Sequence, residues 1–219
     1  MNRSAELLSG LSDIPLLLCG VIMVAAAARS NGKGEIRKNW LMISVLLCFT
    51  ALLGVFVHAV EIKDDDLRLI WPFVYLVITE LVRRFWLQMI RIIKGKETEK
   101  RYRKLITVFA FMTAAVNGLL EIFFGADLAP LFLVLAVPAV LSILWMIFSD
   151  NSRTGDRNRR SIAYGMLLML MSTLADGIIR RPVIILGVPC SGALFGHVLM
   201  IAALVVFISV VIRTSQEDQ

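Results

Sequence analysis

Five ionisable side chains lie inside long apolar runs of this sequence, where ionisable groups are costly and are functional candidates by default. They are Asp13, His58, Glu121, Asp176 and His197. His58 and His197 are the only histidines in the chain. Because neutral imidazole and carboxylate groups are common ligands of zinc and other divalent ions, a site where these side chains meet could bind a metal.

All five residues lie at about the same depth when each is counted from the basic segment that borders its apolar run. The separations of about 16 to 20 residues correspond to roughly 24 to 30 Å in a helix that rises 1.5 Å per residue. A hydrocarbon core about 30 Å thick then places this layer near its outer face. A second interpretation stays open, because membrane helices also become polar simply where the hydrocarbon ends.

The third apolar run carries a separate charged group, which consists of Glu80, Arg83 and Arg84, with Arg91 further along. Glu80 and Arg84 are spaced i, i+4, so we expect them to share a helix face and form an intramembrane ion pair. Glu80 lies near the predicted midplane, and both neighbouring arginines can extend towards the cytoplasmic interface. The group could hold helices together, or it could form a gate or a lipid-headgroup site.

The elements that must position these residues are membrane-spanning helices. The 219 residues are 58% hydrophobic, and the mean hydropathy is +0.78, far above globular usage. Seven apolar runs are each close to the roughly 20 residues that a helix needs to cross a bilayer. They cover residues 7–28, 40–60, 69–93, 105–124, 128–148, 162–179 and 191–212. The sequence predicts an all-α fold with a single seven-helix transmembrane domain over residues 1–219.

Charge asymmetry between the connecting segments predicts the orientation. Segments 29–39, 94–104 and 150–161 together with Arg213 contain 15 Lys and Arg residues, whereas the N-terminus and segments 61–68, 125–127 and 180–190 contain five. Cytoplasmic loops carry the excess of Lys and Arg. We therefore expect the N-terminus outside the cell, the C-terminus in the cytoplasm, and a multi-pass location in the cell membrane, which is the cytoplasmic membrane if the source is prokaryotic.

Several functional classes are disfavoured by the same sequence. The net charge of +6 comes from Lys and Arg in short loops, so we expect contacts with membrane lipids and no nucleic-acid partner. Cys19, Cys48 and Cys190 form no CxxC pair, which argues against a disulfide framework or a zinc ribbon. The nucleotide-binding and hydrolase motifs of soluble enzymes are missing from the sequence. The oligomeric state is left open.

Two histidine segments give the chain a resemblance to a known superfamily. His58 ends the segment LGVFVH (53–58) near the outer end of the second helix, and His197 lies in LFGHV (194–198) early in the seventh. This layout resembles the seven-helix CREST superfamily, which includes alkaline ceramidases and the progestin and adiponectin receptors. The segment LSDIP (11–15) is also similar to uncharacterised bacterial membrane proteins that look like distant relatives.

The resemblance implies a zinc site with a degenerate motif. In the superfamily, zinc is held by a Ser-x-x-x-His pair on the second helix, an Asp on the third and a His-x-x-x-His pair on the seventh. His58 and His197 match one histidine of each pair, whereas Gly54 replaces the serine and Ile201 stands where the last histidine would be. The third-helix aspartate has no clear match, since residues 64–66 precede the third helix as predicted over residues 69–93.

Zinc normally takes three or more protein ligands, so the two histidines would need a carboxylate. The candidates are Asp13, Glu61 and Asp176. In a hydrolase, metal-activated water would attack a lipid amide or ester, with Asp13 or Asp176 as third ligand or general base.

The predicted function is that of a ceramidase-like membrane protein with an outward-facing polar pocket. A non-enzymatic receptor, lipid-binding or packing role ranks first, and a metal-dependent lipid hydrolase is the alternative. A small-solute transporter and a protein that clamps haem between two histidines rank lower. The cofactor is left open, with zinc as the candidate.

Overall fold

A computed structural model describes residues 3–29, 34–59, 64–124, 129–149, 157–179, 183–185 and 188–216. Nearly all of them belong to seven α-helices, which confirms the predicted all-α class. The helices are α1 (Arg3–Arg29), α2 (Glu35–Ala59), α3 (Asp64–Lys94), α4 (Lys96–Phe124), α5 (Ala129–Phe148), α6 (Arg157–Ile178) and α7 (Gly192–Gln216). A two-stranded antiparallel hairpin of β1 (Val183–Ile185) and β2 (Val188–Cys190) precedes α7.

Several helices extend beyond the apolar runs that predicted them. The largest difference is at α4, which begins at Lys96 although a loop was predicted over residues 94–104. Gly95 has a φ of 90°, a left-handed conformation that ends α3, and α4 starts at the next residue. In its first turns, Arg103 donates two hydrogen bonds to Glu99 one turn earlier. Hydropathy marks only the apolar part of a helix, whereas such polar pairs extend it.

Consecutive helices pack against each other, so their directions alternate. α1 contacts α2 and α7, α7 also contacts α6, and α3 lies against α2, α4 and α5. The start of α1, the end of α2 and the start of α7 therefore come together at one end of the bundle, which we call the Asp13 end. The opposite end, which we call the Arg213 end, contains the start of α2 and the last turns of α3 and α7.

The core joins α2, α3 and α7 through aromatic rings. The ring of Phe85 contacts Trp40 with 6.2 Å between centroids and Phe207 with 4.8 Å, both in edge-to-face geometry. Trp40 and Phe207 are fully buried. Near the Arg213 end, the indole Nε1 of Trp40 donates a 3.0 Å hydrogen bond to Oγ1 of Thr214.

The outward faces of the helices are apolar, as expected for surfaces in contact with lipid. Leu18, Leu52, Met112 and Val205 are each more than half exposed. Within the described residues, four helical segments are long and apolar enough to cross a membrane: Gly10–Arg29, Glu35–Val57, Lys96–Phe123 and Gly192–Thr214. A shorter apolar stretch is Val134–Phe148 in α5. The protein thus has the helices of a membrane protein.

Candidate functional site

Three helices bring polar atoms together at the Asp13 end of the bundle. Ser12 and Asp13 come from α1, Gly54 from α2, and His197 from the first turns of α7. Asp13 is only 4% exposed, and the side chain of His197 is 23% exposed. The carboxyl group is therefore enclosed by the helices, whereas part of the imidazole remains accessible.

Both ring nitrogens of His197 face residues of α1. Nδ1 shares a 2.7 Å hydrogen bond with Oγ of Ser12, and Nε2 lies 3.6 Å from Oδ1 of Asp13. The second distance is within ion-pair range but longer than a hydrogen bond. When the imidazole is protonated it carries a charge opposite to that of Asp13; when it is neutral, one nitrogen can still act as a base or a metal ligand.

Gly54 provides the space that the Asp13 carboxylate occupies. A Cβ atom at position 54 would lie 2.5 Å from Oδ2 and 2.8 Å from Cγ of Asp13, closer than any real side-chain contact. Oδ2 is buried and accepts no hydrogen bond from the part of the chain that the structure describes. The carboxylate thus presents one free oxygen against the backbone of α2, and it fits there because residue 54 has no side chain.

The position of His197 is set by contacts at the start of α7. Ser191 caps this helix, since its Oγ accepts a 3.1 Å hydrogen bond from the backbone N–H of Leu194. Ser172 on α6 donates a 2.7 Å hydrogen bond to the carbonyl oxygen of Gly196. Gly192 lies so close to the end of α6 that an added Cβ would be 2.8 Å from the carbonyl oxygen of Ala175 and 2.5 Å from that of Ile179, which follows the helix. These contacts hold the turn that carries His197.

The other predicted site residues fall into two groups. The side chains of His58 and Asp176, and the whole of Glu61, lie outside the described residues. Glu121 is buried on α4, which packs against α3 and α5. Among the described residues no three His, Cys, Asp or Glu side chains come close enough to hold a metal, so Glu121 does not join Asp13 and His197.

Sequence analysis did not identify Ser12 as a partner of His197, nor Gly54 as the residue against which the Asp13 carboxylate packs. The sequence contains two signals: Ser12 precedes a carboxylate in an apolar run, and Gly54 precedes His58 by one helical turn. Neither signal specifies a contact, because the rotation of α1 against α2 and α7 decides which side chains meet.

The charged group on α3 forms a compact cluster. Glu80 accepts hydrogen bonds of 2.7 and 2.8 Å from Nε and Nη2 of Arg83, and one of 2.5 Å from Nε of Arg84. Nη1 of Arg83 also donates to Oγ1 of Thr107 on α4, at 3.3 Å. Both arginines therefore turn back towards Glu80 in the preceding helical turn. The sequence allowed both side chains to extend towards the predicted cytoplasmic interface, but in the structure they do not, because the carboxylate holds both guanidinium groups.

Comparison with protein-family models, curated proteins and solved structures finds no match to this chain. The contacts at the Asp13 end and around Glu80 are thus the observations on which a functional proposal rests.

Proposed function

We propose that the chain crosses the cell membrane seven times and that its Asp13 end faces outward. Four helices have the length and hydropathy for this, and the other three pack against them: α3 against α2 and α4, α5 against α4, and α6 against α7. The orientation rests on the excess of Lys and Arg in the segments at the Arg213 end. The group formed by Ser12, Asp13 and His197 then lies near the outer face of the hydrocarbon core.

We further propose that this group binds the polar part of a lipid from the outer leaflet. The observation that carries the proposal is the hydrogen-bonded Ser12–His197 pair beside a buried carboxylate, with part of the imidazole accessible. Hydroxyl, imidazole and carboxylate groups together can donate to and accept from an amide or hydroxyl headgroup. The lipid tails would contact the apolar outer faces of α1 and α7, where Leu18 and Val205 are exposed.

Binding of a fluorescent short-chain ceramide to protein in detergent micelles tests this proposal, because ceramide carries both an amide and hydroxyl groups. We expect saturable binding to the wild type that is weakened about two- to tenfold in His197→Ala, since a lost hydrogen bond between uncharged groups costs about 0.5 to 1.5 kcal/mol. The control is Val198→Ala, an exposed neighbour on α7. Equal binding by wild type and His197→Ala would contradict the proposal.

A second candidate, a zinc-dependent lipid hydrolase, is favoured by the position of the Asp13 carboxylate. The resemblance to the CREST superfamily assigns an oxygen ligand to the residue that is Gly54 here. In this protein Oδ2 of Asp13 occupies the space next to Gly54, where that side chain would be. Asp13 and His197 could therefore serve as two zinc ligands, and His58, which follows Gly54 by one turn of α2, is the candidate for the third.

The metal content of detergent-purified protein tests this candidate. A zinc-binding site predicts near-stoichiometric zinc in the wild type and loss of zinc in His58→Ala, His197→Ala and Asp13→Ala. Cys48→Ala, which changes a possible ligand on the same helix as His58, is expected to retain the metal. Wild-type protein that remains metal-free when dialysed against zinc and is folded by circular dichroism would exclude this candidate.

A further inference from the structure

The cluster around Glu80 contains more positive than negative charge. Two guanidinium groups, those of Arg83 and Arg84, share a single carboxylate. In the described part of the chain, no other acidic side chain pairs with either arginine. An excess cation inside a membrane protein is costly unless a counter-charge compensates it. The cluster therefore favours an additional anion.

The hydrogen bonds show which guanidinium group is available. Arg83 uses Nε and Nη2 on Glu80 and Nη1 on Thr107. Arg84 uses only Nε, and no hydrogen bond of its two terminal nitrogens is formed with any residue that the structure describes. The side chain of Arg84 is 30% exposed, whereas that of Arg83 is 15% exposed. The terminal nitrogens of Arg84 are thus a reachable donor pair of the kind that binds carboxylate or phosphate oxygens.

The position along α3 places this donor pair far from the Arg213 end of the bundle. Arg84 precedes the end of α3 at Lys94 by about 15 Å, at 1.5 Å per residue. Glu80 holds the guanidinium group on the side away from that end. If Lys94 marks the membrane interface, the positive charge lies near the middle of the hydrocarbon core.

A polar stripe connects Arg84 with the Arg213 end of the bundle. Gln88 follows Arg84 by one turn and donates a 3.2 Å hydrogen bond to the carbonyl oxygen of Ile36 on α2. Arg91 comes next and forms a 2.6 Å ion pair with Glu35 at the start of α2. The contacts of Gln88 and Arg91 show that this face of α3 is directed towards α2. Because Gln88 is fully buried, the boundary is closed beside it, and an anion reaches Arg84 from the side on which Arg84 itself is exposed.

We infer that Arg84, with Arg83 as the neighbouring cation, forms an intramembrane binding site for an oxyanion, a carboxylate or a phosphate, at the α2 side of α3. Glu80 is the positioning residue, because its carboxylate holds both guanidinium groups in place. This site is separate from the Ser12–Asp13–His197 group and does not depend on the lipid-binding function proposed for it, although it rests on the seven-span arrangement proposed above. The anion is either a small soluble one or the headgroup of an anionic lipid.

Thermal unfolding of the purified protein in an uncharged detergent tests the inference. The probes are inorganic phosphate, acetate and dioctanoyl phosphatidic acid, each compared with potassium chloride at equal ionic strength, and dioctanoylglycerol is the uncharged lipid control. We expect at least one oxyanion to raise the unfolding temperature of the wild type in a saturable way. The apparent affinity should be at least about tenfold weaker in Arg84→Gln, because two charge-assisted hydrogen bonds are lost.

Two further variants make the result specific. Arg101→Gln removes the same charge from an exposed position on α4 and is expected to leave the affinity unchanged. Arg84→Lys keeps the charge without the paired donors, so its affinity should also fall even if Arg84→Gln does not fold. Stabilisation by phosphate or acetate identifies a soluble anion, whereas stabilisation by phosphatidic acid alone identifies a lipid headgroup. No oxyanion effect beyond potassium chloride, or equal losses in Arg84→Gln and Arg101→Gln, would overturn the inference.

Discussion

Ser12 on α1 and His197 on α7 are 185 residues apart in the chain, yet their Oγ and Nδ1 atoms share a 2.7 Å hydrogen bond. The contact connects the first and last helices of the bundle. Asp13, the next residue of α1, lies 3.6 Å from the other imidazole nitrogen. The two α1 residues approach opposite nitrogens, so both of these contacts orient the imidazole ring of His197.

The first prediction concerns the energetic coupling of Asp13 and His197. His197→Ala leaves the buried carboxylate of Asp13 without its imidazole partner, so we expect the free energy of unfolding to fall by about 2 to 4 kcal/mol. Asp13→Asn in the His197→Ala background removes the buried charge and should restore part of that loss. Denaturant unfolding in mixed micelles measures both variants and the double variant.

The control for this cycle is Val198→Ala, which truncates an exposed side chain next to His197. It should change the unfolding free energy by less than about 1 kcal/mol. Additive effects of Asp13→Asn and His197→Ala would show that the two side chains do not interact.

The second prediction concerns the contact between Gly54 and Asp13. Gly54→Ala places a Cβ atom 2.5 Å from Oδ2 of Asp13, so the buried carboxylate must move. We expect the free energy of unfolding, measured by denaturant unfolding in mixed micelles, to fall by about 1 to 3 kcal/mol. In an Asp13→Ala background the obstructing atoms are gone, and Gly54→Ala should then be nearly neutral.

A matched control is Gly118→Ala on α4, where the added Cβ would meet Pro72 at 3.4 Å, close to an ordinary van der Waals distance. We expect this variant to unfold close to the wild-type temperature. If Gly54→Ala lowered the unfolding free energy equally with and without the Asp13 carboxylate, the Asp13 side chain would not pack against Gly54.

The third prediction concerns the buried hydrogen bond between Trp40 and Thr214. Thr214→Val keeps the shape of the side chain but removes the acceptor, and the indole N–H of Trp40 then remains buried without a partner. The expected loss is about 1 to 3 kcal/mol in unfolding free energy. Thr50→Val is the control, since Thr50 donates only to the carbonyl oxygen of Leu46 in its own helix. Similar losses in both variants would argue against a specific role of the Trp40 contact.

The fourth prediction concerns orientation in the membrane. Ile184 in the hairpin is 75% exposed, and the side chain of Glu97 at the start of α4 is 85% exposed. In a background without the three native cysteines, a membrane-impermeant maleimide should label Ile184→Cys in intact cells. Glu97→Cys should be labelled only after the cells are opened. The reverse pattern would place the Asp13 end in the cytoplasm.

Much of the helical architecture follows from local properties of the sequence. Hydropathy over windows of about 20 residues predicted each helix, because apolar surface and helix length are properties of consecutive residues. The prediction failed at polar helix ends such as the first turns of α4, where Arg103 and Glu99 stabilise helix outside the apolar run. It also missed the hairpin of β1 and β2, whose three-residue strands are too short for a periodic pattern.

The sequence by itself determined which residues were candidates for chemistry. Asp13, His197, Glu80 and Arg84 are ionisable groups in apolar surroundings, and this property can be recognised without knowing any contact. The i, i+4 spacing of Glu80 and Arg84 also predicts that they can meet, because neighbours within one helix are fixed by its periodicity.

Only the tertiary structure decided the partners between helices. Asp13 lies against Gly54 and His197, whereas Glu121, predicted at the same depth, is buried on α4 away from them. Depth along a helix follows from residue number, but the direction of a side chain around the helix axis follows from packing with neighbouring helices. For the same reason, Arg83 and Arg84 do not extend towards the interface. Both pair with Glu80, and Arg83 also donates a hydrogen bond to Thr107.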